Sequence, residues 1–266
     1  MIRRTAVYGI FVLSITLLLL PATSLCEGKS KTTKVFLLGG QSNMVGAGKG
    51  TDLKPPYSSP LPKIKIWQPK TKEWVPLSAG TSFGPEVSFG HAMAKAFPDD
   101  DIRLVKYAAS GTALYNDWAP TNGPEYRAFM ATAKDALADL DASKVEYSVA
   151  GMLWLQGESD AEEKQGESYE KNLTAFIAHI RSIFNTPEMP FIIARVRDHY
   201  GKGAQANMVR DAQESLAKTI KSVFWFDTDD CTMLNAGHYD SAGLIVIGNR
   251  FAESYGKMLN LRQSGP

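Results

Sequence analysis

Four short segments hold the side chains of this sequence best suited to chemistry. The first is Gly39-Gly40-Gln41-Ser42-Asn43-Met44, directly after an apolar run. A serine on a glycine-flanked turn at a strand end presents its hydroxyl as a nucleophile, and the glycines allow a sharp backbone path. Capping of a following helix is the plainer alternative for Ser42. The segment is not a Gly-x-Ser-x-Gly elbow, because Met44 follows two residues after Ser42, and it lacks the Gly-Lys-Ser/Thr of a phosphate loop. The second segment is Ala108-Ala109-Ser110-Gly111-Thr112, where Gly111 offers an unobstructed N–H to a developing oxyanion or simply makes a turn. In the third, Trp154-Leu155-Gln156-Gly157-Glu158-Ser159-Asp160, an apolar run ends abruptly in an amide and two carboxylates. Those acids either line a crevice or cap a helix from solvent. The fourth runs from Leu234 through Asn235, His238 and Asp240 to Gly243. His238 sits at a loop-to-helix junction, where an imidazole can lean over a sheet edge, and Asp240 is assigned to the N-cap of the next helix. His179 and His91 fall within helical stretches and His199 in a charged loop. No histidine pair has metal-ligand spacing, so neither a metal nor a cofactor is expected.

The elements that must position these segments are legible as alternating runs. Val35–Leu38, Ile102–Tyr107, Val149–Leu155, Phe191–Val196 and Val223–Phe226 are rich in Val, Ile, Leu and Phe without clean alternation. That is the pattern of parallel strands covered on both faces. Helix-period stretches lie between them: Glu86–Phe97 after Pro85, Pro124–Leu140, Ser168–Phe184, Gln205–Ile220 and Ala242–Leu259. The expected fold is α/β, a three-layer α/β/α sandwich on a five-stranded parallel sheet of flavodoxin-like type, with its crevice at the carboxyl ends of the strands. Lys63–Leu77, carrying Trp67 and Trp74, reads as a β-hairpin or ordered loop inserted after the first strand.

Taken in order, GGQSNM (39–44), SGT (110–112), WLQGESD (154–160) and GHYDSAG (237–243) resemble the SGNH-type esterases, and more narrowly the sialate O-acetylesterase/acetylxylan esterase group of carbohydrate esterase family 6. FGPE (83–86), Arg210-Asp211-Ala212-Gln213 and Asp227-Thr228-Asp229-Asp230 agree, and the likeness runs from Val35 to Tyr255. The resemblance implies Ser42 as nucleophile on an acetyl ester and His238 as its general base. It implies an oxyanion hole from the N–H groups of Ser42 and Gly111 and the Gln156 side-chain amide. Where the SGNH pattern has an aspartate three residues before the histidine, this chain has Asn235. An asparagine can hold an imidazole but cannot balance imidazolium charge. The expected acid is therefore Glu158, with Asn235 a secondary support and Asp230 a weaker third candidate. Gln41, Asn43 and Trp118 are candidates for substrate binding, with Trp67, Trp74 and Tyr115 as further stacking surfaces or core. The implied substrate is an acetylated carbohydrate, on xylan or on sialic acid. Two other readings stay open here: a catalytically weakened carbohydrate-binding relative, and a lipase- or thioesterase-like SGNH hydrolase, which needs a long apolar groove.

Composition narrows the partners. The chain has 266 residues, 44% hydrophobic and 21% charged, with a formal charge of +1 from 29 basic and 28 acidic residues. That balance leaves no basic excess to neutralise a phosphate backbone, and no Lys/Arg block appears, so nucleic acid is not expected as a partner. Arg3 and Arg4, an apolar run from Ala6 to Leu20, then Pro21-Ala22-Thr23-Ser24 have the layout of a secretory signal peptide. The run is shorter than the roughly 20 residues of a membrane span. The expectation is a signal over residues 1–26, cleaved after Ser24 or Cys26, and one esterase domain over 27–266, secreted or periplasmic with no lasting membrane anchor. Two cysteines exclude a disulfide scaffold. Cleavage before Cys26 would leave a Cys26–Cys231 bridge open. No feature of the sequence fixes an oligomeric state.

Overall fold

The computed structural model describes residues 33–198 and 203–263. The segment expected to be a signal, Cys26 included, and His199 lie outside the described residues. The chain runs β1 (Thr33–Gly40), α1 (Ser42–Val45), β2 (Gly48–Lys49), β3 (Leu61–Gln68), β4 (Glu73–Leu77), β5 (Ser82–Phe83), α2 (Glu86–Ala96), β6 (Asp101–Ala108), α3 (Pro124–Ala142) and β7 (Tyr147–Leu155). It continues through α4 (Glu158–Glu162), α5 (Gly166–Ile183), β8 (Phe191–Ala194), α6 (Ala204–Thr219), β9 (Val223–Phe226) and α7 (Ser241–Gln263).

The main sheet has the order β4-β3-β6-β1-β7-β8-β9. All five strands expected from the apolar runs are present and pair in parallel, as β6-β1-β7-β8-β9. Numbered among themselves they follow the 2-1-3-4-5 order of flavodoxin-like sheets. The expectation of a five-stranded sheet is corrected to seven strands, because the 63–77 hairpin is not a separate insertion. Ile64, Lys65 and Ile66 pair in parallel with Ile102, Arg103 and Leu104, and β4 then runs antiparallel to β3. The free edge of β6 is thereby covered, which removes an open row of backbone donors and acceptors.

The central strand shows why a continuous apolar run is needed. Val35 and Leu37 enter one core layer with side chains from α3, α5 and α6. Phe36 and Leu38 enter the other layer with side chains from α2 and α7. All four are fully buried. Phe36 meets Phe89 and Tyr255 edge-on at 5.1 and 4.9 Å. Truncating such a ring to alanine costs about 3–5 kcal/mol, through lost transfer energy and the cavity left behind.

Candidate active site

The site lies where β6, β1 and β7 end side by side. Gly40, the last residue of β1, is in register with Ala108 of β6 on one side and Leu155 of β7 on the other. The three loops that follow are the serine, SGT and QGESD segments. Strand β1 lies at the switch point of the sheet order, the position where such folds build their crevices. Close packing there dictates the glycines. Gly40 has φ +152°, and a Cβ on it would lie 2.1 Å from the Leu155 carbonyl oxygen. Gly157 has φ +140°, and a Cβ there would meet Val209 at 2.8 Å.

Ser42 opens the helical turn α1, for which Gln41 occupies the N-cap without a side-chain capping bond. The capping alternative for Ser42 therefore falls away. Among the described residues its hydroxyl has no hydrogen-bond partner. FGPE supports the far end of this turn: buried Glu86 accepts from Gly84 N and from Lys106 Nζ at 2.6 Å, and Lys106 also donates to the Val45 carbonyl.

His238 arrives from the opposite side. After β9 the chain is held by charge: Asp229 accepts both ends of the Arg210 guanidinium at 2.9 and 2.8 Å, and Asp230 those of Arg250, each at 2.6 Å. Asp230 is therefore an Arg250 partner and not the third candidate acid of the histidine. Burial pushes the Asp229 carboxyl up, but the Arg210 bonds outweigh it and hold the group at about 2. The segment then folds back through an antiparallel bridge between Met233 and Tyr239. Within this turn Asn235 Oδ1 accepts from Gly237 N at 2.9 Å, His238 N at 2.9 Å and His238 Nδ1 at 3.1 Å. Asp240 Oδ1 accepts from Gly243 N at 2.8 Å, the N-cap bond expected for α7.

Asn43 joins the two sides. Its Nδ2 donates to the Gly237 carbonyl at 3.1 Å and its Oδ1 accepts from Tyr239 N at 3.2 Å. The neighbour of Ser42 thus grips both peptide groups that flank His238.

The third segment corrects several expectations. Glu158 does not meet His238, whose Nδ1 is taken by Asn235; Glu158 Oε1 instead accepts from Asn43 Nδ2 at 2.8 Å. Its Oε2 is buried without a partner among the described residues, and burial pushes the carboxyl up from its ordinary value. Gln156 does not present its amide to the crevice. It is buried, and Nε2 donates inward to Asp160 Oδ2 at 2.6 Å and the Thr112 carbonyl at 3.1 Å. Gln41 and Asn43 are buried too, so they position loops and do not line a substrate surface. Gln41 Oε1 takes Gly157 N at 3.4 Å and Ser159 N at 3.3 Å. Trp118 is completely buried, 5.2 Å from the Trp154 ring with its Nε1 donating to Thr112 Oγ1, so it is core and not rim. Trp67 is also core and packs edge-on against half-buried Trp74. Tyr115 remains exposed, its hydroxyl on Glu163 Oε2.

Sequence reasoning missed the part played by Asp160. This fully buried carboxylate accepts from Leu114 N at 2.8 Å, Tyr115 N at 3.3 Å and Gln156 Nε2. It ties the SGT loop to α4. Burial raises it to about 6 against the pull of those N–H donors. Gly111 at the loop's tip is exposed at φ +70°, with open space around it. Gln213 was legible only as part of a motif. It bridges the Gln156 carbonyl and Val196 N from α6, one turn from Arg210 on the same helix face.

Fold and site together define an α/β protein in which the serine turn at the end of the central strand is tied, through Asn43, to the loop that carries His238. A family model described as carbohydrate esterase, sialic acid-specific acetylesterase, matches residues 32–257. The chain belongs to that family and is a carboxylic-ester hydrolase of the carbohydrate esterase class. It is similar to a probable carbohydrate esterase of Arabidopsis thaliana, 25% identical over 246 residues that cover 84% of this chain and 90% of that one. An X-ray structure of the Arabidopsis protein superposes with a TM-score of 0.72 at 23% identity, covering 84% of this chain and 98% of that one. NanS superposes with a TM-score of 0.71 at 14% identity, covering 87% and 99%. A carbohydrate acetylesterase from Xanthomonas citri gives 0.62 at 16% identity, covering 83% of this chain and 55% of that one. At these identities the superpositions report the shared fold.

Proposed function

We propose that the protein removes O-acetyl groups from carbohydrate through an acetyl-enzyme intermediate on Ser42. The observation that carries this reading is the Asn43 amide, which ties the serine turn to both residues beside His238. In the proposed reaction Ser42 Oγ attacks the acetyl carbonyl as His238 Nε2 takes its proton. The imidazolium then protonates the departing sugar oxygen, and the same nitrogen later deprotonates the water that releases acetate. The Ser42–His238 hydrogen bond forms as substrate enters, since such bonds are commonly long in unliganded enzymes. Asn235 holds Nδ1 and so fixes the tautomer with Nε2 as acceptor. The N–H groups of Ser42 and Gly111 receive the oxyanion, each such donor contributing roughly 3–4 kcal/mol. Gln156 supports this hole from behind.

Tyr115, exposed on the loop that carries Gly111, is the candidate surface for the sugar. The wider proposal is an exported enzyme, with residues 1–26 as a cleaved signal and 27–266 as one domain. The test compares acetate release from acetylated xylan and O-acetyl sialic acid by wild type and Ser42→Ala. Loss of the nucleophile should lower kcat by about 10⁶ on the preferred glycan. A Ser42→Ala enzyme with more than a few per cent of wild-type turnover would reject the mechanism. Equal, weak activity on both glycans beside strong activity on long-chain esters would reject the substrate class.

A further inference from the structure

A buried carboxylate that misses the histidine still has a definite object in this site. The Asn43 amide uses Nδ2 on two acceptors, Glu158 Oε1 at 2.8 Å and the Gly237 carbonyl at 3.1 Å, and uses Oδ1 on one donor, Tyr239 N at 3.2 Å. Asparagine can be turned end for end with little change of shape, and only its partners decide which way it points. Turned over, Asn43 would set its oxygen against Glu158 and the Gly237 carbonyl, and its NH₂ against the Tyr239 N–H. Glu158 is 2% exposed, and its side-chain hydrogen bond goes to Asn43, not to Ser42 or His238. We infer that Glu158 is a positioning residue, an acceptor that fixes the orientation of the Asn43 amide and thereby the placement of His238 against Ser42.

The role needs an oxygen, not a charge. Oε1 accepts from Asn43 in either protonation state, because a proton can sit on Oε2, which has no partner among the described residues. Asp160 and Glu162 act on Glu158 as acids, and Tyr169 and Tyr239 lie within reach of its charge; none of these four offers it a counter-charge. The inference rests on the Ser42–His238 chemistry proposed above. Failure of that chemistry would show separately, as an active Ser42→Ala enzyme.

The experiment measures kcat, KM and pH profiles of the full-length protein on p-nitrophenyl acetate, with folding followed by melting temperature. Glu158→Gln keeps an acceptor and should lower kcat less than tenfold, with the acid side of the kcat/KM profile unmoved. Glu158→Ala removes the acceptor and should lower kcat by about 10²-fold, the scale of an ångström-level misplacement. Asn43→Asp cannot donate to Glu158 and should fall comparably. Combining Asn43→Asp with Glu158→Gln reverses donor and acceptor and should recover at least fivefold over Asn43→Asp alone. That recovery decides the matter even if Glu158→Ala fails to fold. The inference is overturned by a double variant no better than Asn43→Asp. It is equally overturned by a Glu158→Gln enzyme that falls as far as Glu158→Ala with a shifted acid side, since charge would then be what His238 needs.

Discussion

The two sides of the site are held by opposite means. The loop that carries Gly111 is fixed from behind by Asp160, a buried carboxyl group 45–46 residues away in sequence, through bonds to Leu114 N and Tyr115 N. His238 is fixed within its own turn by Asn235, a neutral and exposed side chain three residues away that accepts from two backbone N–H groups and the imidazole. Its long-range anchor is the uncharged amide of Asn43. The difference matches what each part does in the proposed reaction. Oxyanion donors must already point at the developing charge, so they belong on a rigid, desolvated frame. A general base must exchange protons with substrate and water, so its surroundings stay open.

This contrast is breakable, first at the rigid side. Asp160→Asn leaves one acceptor where two oxygens met three N–H donors. The SGT loop should loosen, and kcat should fall by about 10²–10³, the scale of one lost oxyanion donor. Turnover on p-nitrophenyl acetate per titratable active site checks this. A fall of less than threefold would mean that the loop supports itself and Asp160 is only filler.

On the open side, Asn235→Ala removes the partner of His238 Nδ1. The expected fall in kcat is about 10–10³, below the 10⁴ seen when a protease triad loses its aspartate charge and tautomer control together. Asn235→Asp should act in the other direction. A carboxylate beside the imidazole favours the protonated ring, so the acid side of the kcat/KM profile should move to higher pH. An unmoved profile in Asn235→Asp would mean that the side chain does not face Nδ1 during turnover.

Stability against pH sharpens the comparison further. Asp160 at about 6 lies above its ordinary 3.8, so its contribution is fully present below about 4 and is lost as pH rises through 6. The melting temperature of wild type relative to Asp160→Asn should therefore be higher at pH 5 than at pH 7.5. Asp229 at about 2 lies below its ordinary 3.8, so its contribution is present above about 4 and is lost as pH falls through 2. The margin of wild type over Asp229→Asn should shrink on acidification, by the smallest of these effects because the group is half-exposed and screened. Parallel trends in the two variants would contradict the assigned directions.

The sequence by itself determined much of this molecule. Runs of Val, Ile, Leu and Phe marked the five parallel strands, because a strand covered on both faces is filled mainly by apolar side chains. Periodicity and Pro85 marked α2, and Asp240 marked the start of α7. Glycine placement marked the turns at which β1 and β7 end. The tertiary structure alone decided where each polar side chain of those turns went. Glu158 and Asp160 are two residues apart on one short helix, yet one reaches Asn43 and the other the Leu114 amide. Trp118 is as aromatic as an exposed stacking residue but lies under the SGT loop. The hairpin at β3 and β4 joined the sheet because β6 offered it an edge. The physical reason is range. Apolar patterning records which face of an element is buried, and that is written within a few residues. A hydrogen bond spanning 115 or 194 positions, as from Asn43 to Glu158 and to Gly237, depends on which strand ends meet, and that is settled only when the sheet assembles.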